Sequence, residues 1–167
     1  MDDTTLLNKV ARGDRSAFQQ LYYRTSGRLL AIAITMLGSR TLAEDLLQDA
    51  FVKIWYSADN FDAARGEPLA WMITITRNLA IDRLRQNRLV SNTEDFEASH
   101  LPTLKDENQR LADCLQSLES PQRQSIFAAF FQGLTHQEIA ARFAEPIGTI
   151  KSRVRRGLAA LKGCMEG

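Results

Sequence analysis

The chain has 167 residues, 44% of them hydrophobic and 25% charged, with a formal net charge of +1. That apolar content can bury the core of one domain or two small ones, while the near-balanced charge argues against a general polyanion binder. No apolar run approaches the roughly 18 residues of a membrane span, and the acidic start Met1-Asp2-Asp3 is unlike a signal peptide, so a cytoplasmic protein without membrane insertion is expected.

Apolar residues recur three and four positions apart, with Gly or Pro between the periodic runs, which predicts an all-α chain. A short helix over Thr4–Ala11 ends at Gly13. Asp14 then caps a longer helix carrying Phe18, Leu21, Tyr22, Leu29, Ile32 and Met36, which stops at Gly38. Thr41 and Glu44 have the spacing of a capping box ahead of a helix to about Tyr56. After a polar loop from Ser57 to Glu67, Pro68 suits the first turn of a helix running to about Arg88.

From Leu89 to Lys105 the chain is polar and acidic, contains Pro102 and has no apolar period, the composition of a flexible linker. The predicted organisation is therefore two small helical domains, 1–88 and 106–167, joined by the linker 89–105. Charge follows the same division. Lys and Arg outnumber Asp and Glu by twelve to ten over 1–88 and by six to three over 135–167, whereas 89–109 holds one base against five acids. Two surfaces facing nucleic acid, joined by a tether that does not compete for phosphate, have this pattern.

In the second domain Leu111, Cys114, Leu115 and Leu118 form an apolar stripe, and Ser120-Pro121 caps a helix holding Ile126, Phe127, Phe130 and Phe131. Gly133 closes it, Thr135 and Glu138 make a second capping box, and Thr149 caps a last helix to about Lys162. The segment Leu134–Lys162 has the form of a helix-turn-helix. Ala140 is small enough for two helices to cross closely, and Ile139, Phe143, Ile147, Ile150 and Val154 supply the apolar contacts. Lys151, Ser152, Arg155 and Arg156 gather away from the stripe of Ile150, Val154, Leu158 and Leu161, giving a basic helix suited to the major groove.

Cys114 and Cys164 lie fifty positions apart with no ligand spacing around either, so neither a disulfide nor a metal site is expected, nor any cofactor. His100 and His136 read as surface residues. An enzyme such as a resolvase with a DNA-binding tail lacks a converging nucleophile or carboxylate set, and no catalytic residue is assigned. A stand-alone helix-turn-helix regulator remains the alternative, but it accounts only for the C-terminal half.

Ser120-Pro-Gln-Arg, Gln132-Gly-Leu-Thr-His-Gln-Glu-Ile-Ala and Pro146-Ile-Gly-Thr-Ile-Lys-Ser-Arg resemble region four of the extracytoplasmic-function sigma factors, within the sigma-70 family. Gly13-Asp14, Ala17-Phe18, Leu21-Tyr22, Ala43 through Phe51 and Ile54-Trp55 resemble region two, followed by Trp71, Thr76-Arg77-Asn78 and Ala80 through Arg85. The resemblance implies a transcription initiation factor with three kinds of partner: core RNA polymerase, through the clamp helices and flap of its large subunits, promoter DNA, and an anti-sigma factor. On the helix begun at Thr41, Leu47, Phe51, Ile54 and Trp55 face inward, and Glu44, Asp45, Gln48 and Asp49 form an outer face suited to a basic helix.

By that resemblance, Asp45, Gln48 and Asp49 bind polymerase. Asn60, Phe61, Arg77, Asn78, Arg83 and Arg85 meet the minus-10 DNA, with the loop Asn60–Arg65 holding a flipped base. Thr149, Lys151, Ser152, Arg153, Arg155 and Arg156 meet the minus-35 DNA. Trp71 is expected in the core rather than stacked on DNA. Two positions depart from the family pattern: Ala144 stands where many relatives have Gly, and Ala129 where some carry a basic contact.

Overall fold

The computed structural model describes residues 1–91 and 109–167; every regular element among them is a helix, and none is long and apolar enough to cross a membrane. The all-α expectation therefore holds. Chain packing separates two units, Met1–Arg83 and Leu84–Gly167. The first helix beyond the polar loop continues to Ser91, three residues into the expected linker, whose remainder from 92 to 105 lies outside the described residues together with His100.

The first unit contains α1 (Asp3–Ala11), α2 (Arg15–Leu37), α3 (Arg40–Ser57), a 3₁₀ turn (Ala58–Asn60) and most of α4 (Pro68–Ser91). Asp14 caps α2 through the Ala17 N–H, as its position predicts. Gly38 follows in the left-handed region at φ 71° and sets Ser39 into extended backbone. Ser39, rather than Thr41, is consequently the cap of α3, its hydroxyl accepting from the Leu42 N–H at 3.3 Å. Thr41 is already helical, and Glu44 pairs with Arg40 at 2.9 Å instead of closing a capping box.

Leu6, Leu7, Leu21, Leu29, Ile54 and Met72 are fully enclosed where α1 to α4 meet. Each such side chain contributes about 1.5–3 kcal/mol by leaving water. Phe18 stands edge-on to Trp55 at 5.2 Å and Phe51 at 6.0 Å, which ties α2 to α3. The buried hydroxyls of Thr25 and Thr76 donate to the carbonyls of Leu21 and Met72 one turn back, so neither is left unsatisfied.

The second unit carries α5 (Gln109–Ser117), α6 (Ser120–Phe130), α7 (His136–Phe143) and α8 (Ile147–Glu166). One cluster joins Ala128, Leu134, Ile139, Ile150 and Val154, and another joins Leu115, Leu118 and Ile126 with Leu111 and Leu161 against them. The inward stripe of α8 differs from the expected one: Leu158 is 39% and Ile147 40% exposed, and Gly157 takes the buried position. The cause is close helix approach. A Cβ on Gly157 would fall 2.5 Å from Ile126 Cδ1 and 3.3 Å from Gln122 Cβ.

Two expected caps are displaced. Glu119, not Ser120, precedes α6 without a side-chain bond, and Pro146 precedes α8. Pro146 has the extended backbone an N-cap requires, so α8 starts before Thr149, whose N–H already bonds the Pro146 carbonyl at 3.0 Å. The Thr135–Glu138 capping box forms in both directions, at 3.1 and 2.9 Å.

The cysteine expectation is overturned, because Cys114 on α5 and Cys164 on α8 are joined in a disulfide, with their Cα atoms 5.8 Å apart. Separation along the chain is no barrier when α5 packs beside α8. Arg110 on α5 also donates to the Cys164 carbonyl at 3.4 Å, and Cys164 lies within α8, which continues to Glu166 beyond the expected end near Lys162.

Candidate functional site

The helix-turn-helix consists of α7, a turn and α8. Ala144 closes α7 with φ 53° and ψ 44°, and Glu145 follows with its N–H on the Ala140 carbonyl at 3.0 Å. Glu145 also accepts from Arg153 at 3.2 Å, a pair linking the turn to the second turn of α8. Arg153 is thereby held half-buried beside the turn.

The candidate residues of α8 divide into two sets. Thr149, Ser152, Arg153 and Arg156 line a groove of about 520 Å³, whose other wall includes Glu119 and Gln122 at the start of α6. Lys151 and Arg155 are exposed, one turn apart, and do not line it. Gln122 is a residue that sequence patterning missed, because its role depends on how closely α6 approaches α8. An amide offers both a donor and an acceptor to a base edge, while the arginines supply charge for phosphate.

On α3, Asp45, Gln48 and Asp49 are exposed and Leu46, Leu47, Ala50 and Phe51 are buried, which reproduces the predicted division of faces. The same outward stripe continues along the helix to Val52 and Tyr56, which are 55% and 77% exposed. Spacings of four, three and four residues place Asp45, Asp49, Val52 and Tyr56 in one row. Such a row can take a partner helix with a basic and an apolar part. Val52 and Tyr56 escaped the sequence reading because apolar residues in an amphipathic helix are ordinarily assigned inward.

Arg83 on α4 reaches both carboxylates. Its Nη1 donates to Asp45 Oδ2 at 3.3 Å and its Nη2 donates to Asp49 Oδ2. The sequence placed Arg83 with the DNA-facing residues; in the fold it meets the acidic face of α3. Arg85 donates to Glu138 at 2.8 Å and to the Gly133 carbonyl at 3.1 Å. Arg77 is half-buried, and loss of hydration lowers its pKa below the ordinary arginine value, while Asn78 beside it is exposed.

The loop after the 3₁₀ turn borders a second cavity of about 310 Å³, lined by Asn60, Phe61, Asp62, Arg65, Trp71 and Thr74 among others. Phe61 and Trp71 meet edge to face at 5.7 Å, and both pack partly against the first-unit core. Trp71 is half-buried: it packs against the first-unit core and also lines the cavity, so the expected core placement accounts for only part of its surface. Asp62 accepts from the Ala64 N–H at 3.0 Å and lies 3.7 Å from Arg65, so the loop carries its own bracing. An aromatic edge beside amide and charged groups has the chemistry to hold a single unpaired base. Among the described residues, no group of three or more His, Cys, Asp or Glu side chains could hold a metal ion.

Comparison with known proteins agrees with this two-part organisation. Residues 21–90 match the family model for sigma-70 region 2, and residues 108–161 match sigma-70 region 4. The chain is 33% identical to the ECF RNA polymerase sigma factor SigK of Mycobacterium ulcerans strain Agy99, over 99% of this chain and 94% of that protein. It is 34% identical to SigK of Mycobacterium sp. strain KMS, over 98% and 91%. Among solved structures it resembles Rhodobacter sphaeroides SigE, crystallised with the anti-sigma ChrR, with 31% identity, a TM-score of 0.52, and coverage of 98% of this chain and 97% of that one.

Proposed function

The chain belongs to the extracytoplasmic-function sigma factors of the sigma-70 family, and we propose that it acts in the cytoplasm by binding core RNA polymerase and directing it to a specific set of promoters. The observation that carries this reading is the presence, in one chain, of an exposed acid-and-amide face on α3 and an exposed basic face on a helix-turn-helix. Asp45, Gln48 and Asp49, extended by Val52 and Tyr56, take the polymerase clamp helices. The cavity around Asn60, Phe61 and Trp71 takes a base of the opened minus-10 element, with Arg77 and Asn78 beside the strand.

In the second unit, α8 enters the major groove at the minus-35 element. Thr149, Ser152, Arg153 and Arg156, with Gln122, meet one side of the DNA, and Lys151 and Arg155 meet the other. The region-4 unit also meets the polymerase flap. Chemistry on a substrate has no part in this mechanism: binding energy positions polymerase and stabilises melted DNA. The likeness to a sigma factor solved with its anti-sigma partner supports control by an anti-sigma factor. That control is tested by co-expressing the product of the neighbouring gene, which is expected to co-purify and to lower transcription.

Reconstitution tests the main reading. Purified protein added to core polymerase is expected to form a stable complex and to yield a transcript from a promoter mapped after controlled expression. No complex and no specific transcript would sink it. A chain that binds operator DNA unaided, as an oligomer, would instead be a stand-alone regulator.

A further inference from the structure

We propose that Arg83 is a positioning residue for polymerase docking, gripping Asp45 and Asp49 side by side so that a basic partner helix meets a prearranged pair of carboxylates. This rests on the assignment of the α3 face to core polymerase. The sequence groups Arg83 with the promoter-facing arginines, but its geometry argues for a different task. Both of its bonds go to Oδ2 atoms, one on each aspartate. The Oδ1 atom of each carboxylate remains on an exposed side chain, since Asp45 and Asp49 are 69% and 60% exposed while Arg83 itself is only 26% exposed.

Two carboxylates one turn apart repel each other, and free rotamers would hold them apart. A partner arriving at such a pair would have to gather both against that repulsion. A guanidinium presents its N–H groups in a rigid planar fork, which lets one side chain hold two acceptors at a fixed spacing. Arg83 removes one unit of the local charge and leaves a net negative pair. The orientation is set before the partner arrives, and preorganisation of this kind strengthens association chiefly by slowing release.

The test is a double-mutant cycle in the full chain, reading affinity for purified core polymerase and, separately, the salt dependence of promoter binding by the saturated holoenzyme. Asp45→Asn with Asp49→Asn should weaken core binding, and Arg83→Gln should weaken it about two- to fivefold, the range for a solvent-facing ion pair. In the Asp45→Asn/Asp49→Asn background, Arg83→Gln should have no further effect, because the residue acts through those carboxylates. Arg83→Lys should restore only part of the loss. The salt slope of DNA binding should stay unchanged.

Additive losses in the cycle, as from a loosened fold, overturn the proposal, and so does tighter core binding by Arg83→Gln, which would make the arginine a competitor. A DNA salt slope reduced by about one returns Arg83 to phosphate contact and also overturns it. Unchanged core binding by the two aspartate substitutions together refutes the polymerase assignment of the α3 face itself, and the proposal with it. If those substitutions weaken binding and Arg83→Gln does not, the proposal alone fails.

Discussion

Ala144 stands at φ 53°, the only non-glycine residue with positive φ among the described residues, at the position where the helix-turn-helix changes direction. An L side chain there is disfavoured by about 1–2 kcal/mol, and a glycine would lose somewhat more backbone freedom on folding. Ala144→Gly is therefore expected to stabilise the second unit by about 0.5–1 kcal/mol, read as a raised urea midpoint with an unchanged slope. The departure from glycine was visible in the sequence, but its consequence was not, because φ depends on where α7 ends. On α8 the sequence placed the basic residues correctly on a solvent-facing side, and only the fold separated Arg153, tied to Glu145, from Lys151 and Arg155. If Arg155 reads a base edge, Arg155→Ala weakens minus-35 binding by about 1–3 kcal/mol and relaxes the preference at one position. A phosphate contact weakens all sequences alike and lowers the salt slope by about one, and competition binding across single-base variants distinguishes the two.

Helix boundaries were most legible where a side chain and a turn residue agreed. Asp14 and Thr135 cap as predicted because each follows a glycine-led turn and precedes an unbroken apolar period. Thr41, Ser120 and Thr149 misled because another residue, one to three positions earlier, reached the cap conformation first. The Thr135–Glu138 box makes a pH-dependent contribution. Burial would raise the Glu138 carboxyl, but bonds from the Thr135 amide and the Arg85 guanidinium outweigh it and hold the group below its ordinary value of 4.5. A carboxyl lowered on folding stabilises the native state fully above its unfolded pKa and loses that contribution as pH falls through the folded one. Glu138→Ala is thus expected to cost about 1 kcal/mol at pH 7. Denaturation series at descending pH should show the gap between parent and variant narrowing below the ordinary value of 4.5.

Across the whole molecule, the two units differ in what holds them together, and that difference is measurable. The first unit relies on a continuous apolar core with a cluster of aromatic side chains, whereas the second has smaller clusters and a covalent link between its first and last helices. The cysteine pairing was illegible in the sequence, since only the packing of α5 on α8 brings positions 114 and 164 together. Closing a chain segment of that length restricts the unfolded state and stabilises a fold by about 2–4 kcal/mol. Reduction, or Cys114→Ser, should accordingly lower the melting temperature of the second unit by about 8–32 °C, at roughly 4–8 °C per kcal/mol for a small domain. Both tryptophans, Trp55 and Trp71, lie in the first unit, so intrinsic fluorescence follows that unit alone while far-ultraviolet dichroism follows both. Reductant is expected to move the dichroism transition and leave the fluorescence transition in place. A fluorescence midpoint that falls in step with the dichroism would mean that the two units unfold together, and an unmoved dichroism curve would mean that the cross-link contributes no stability.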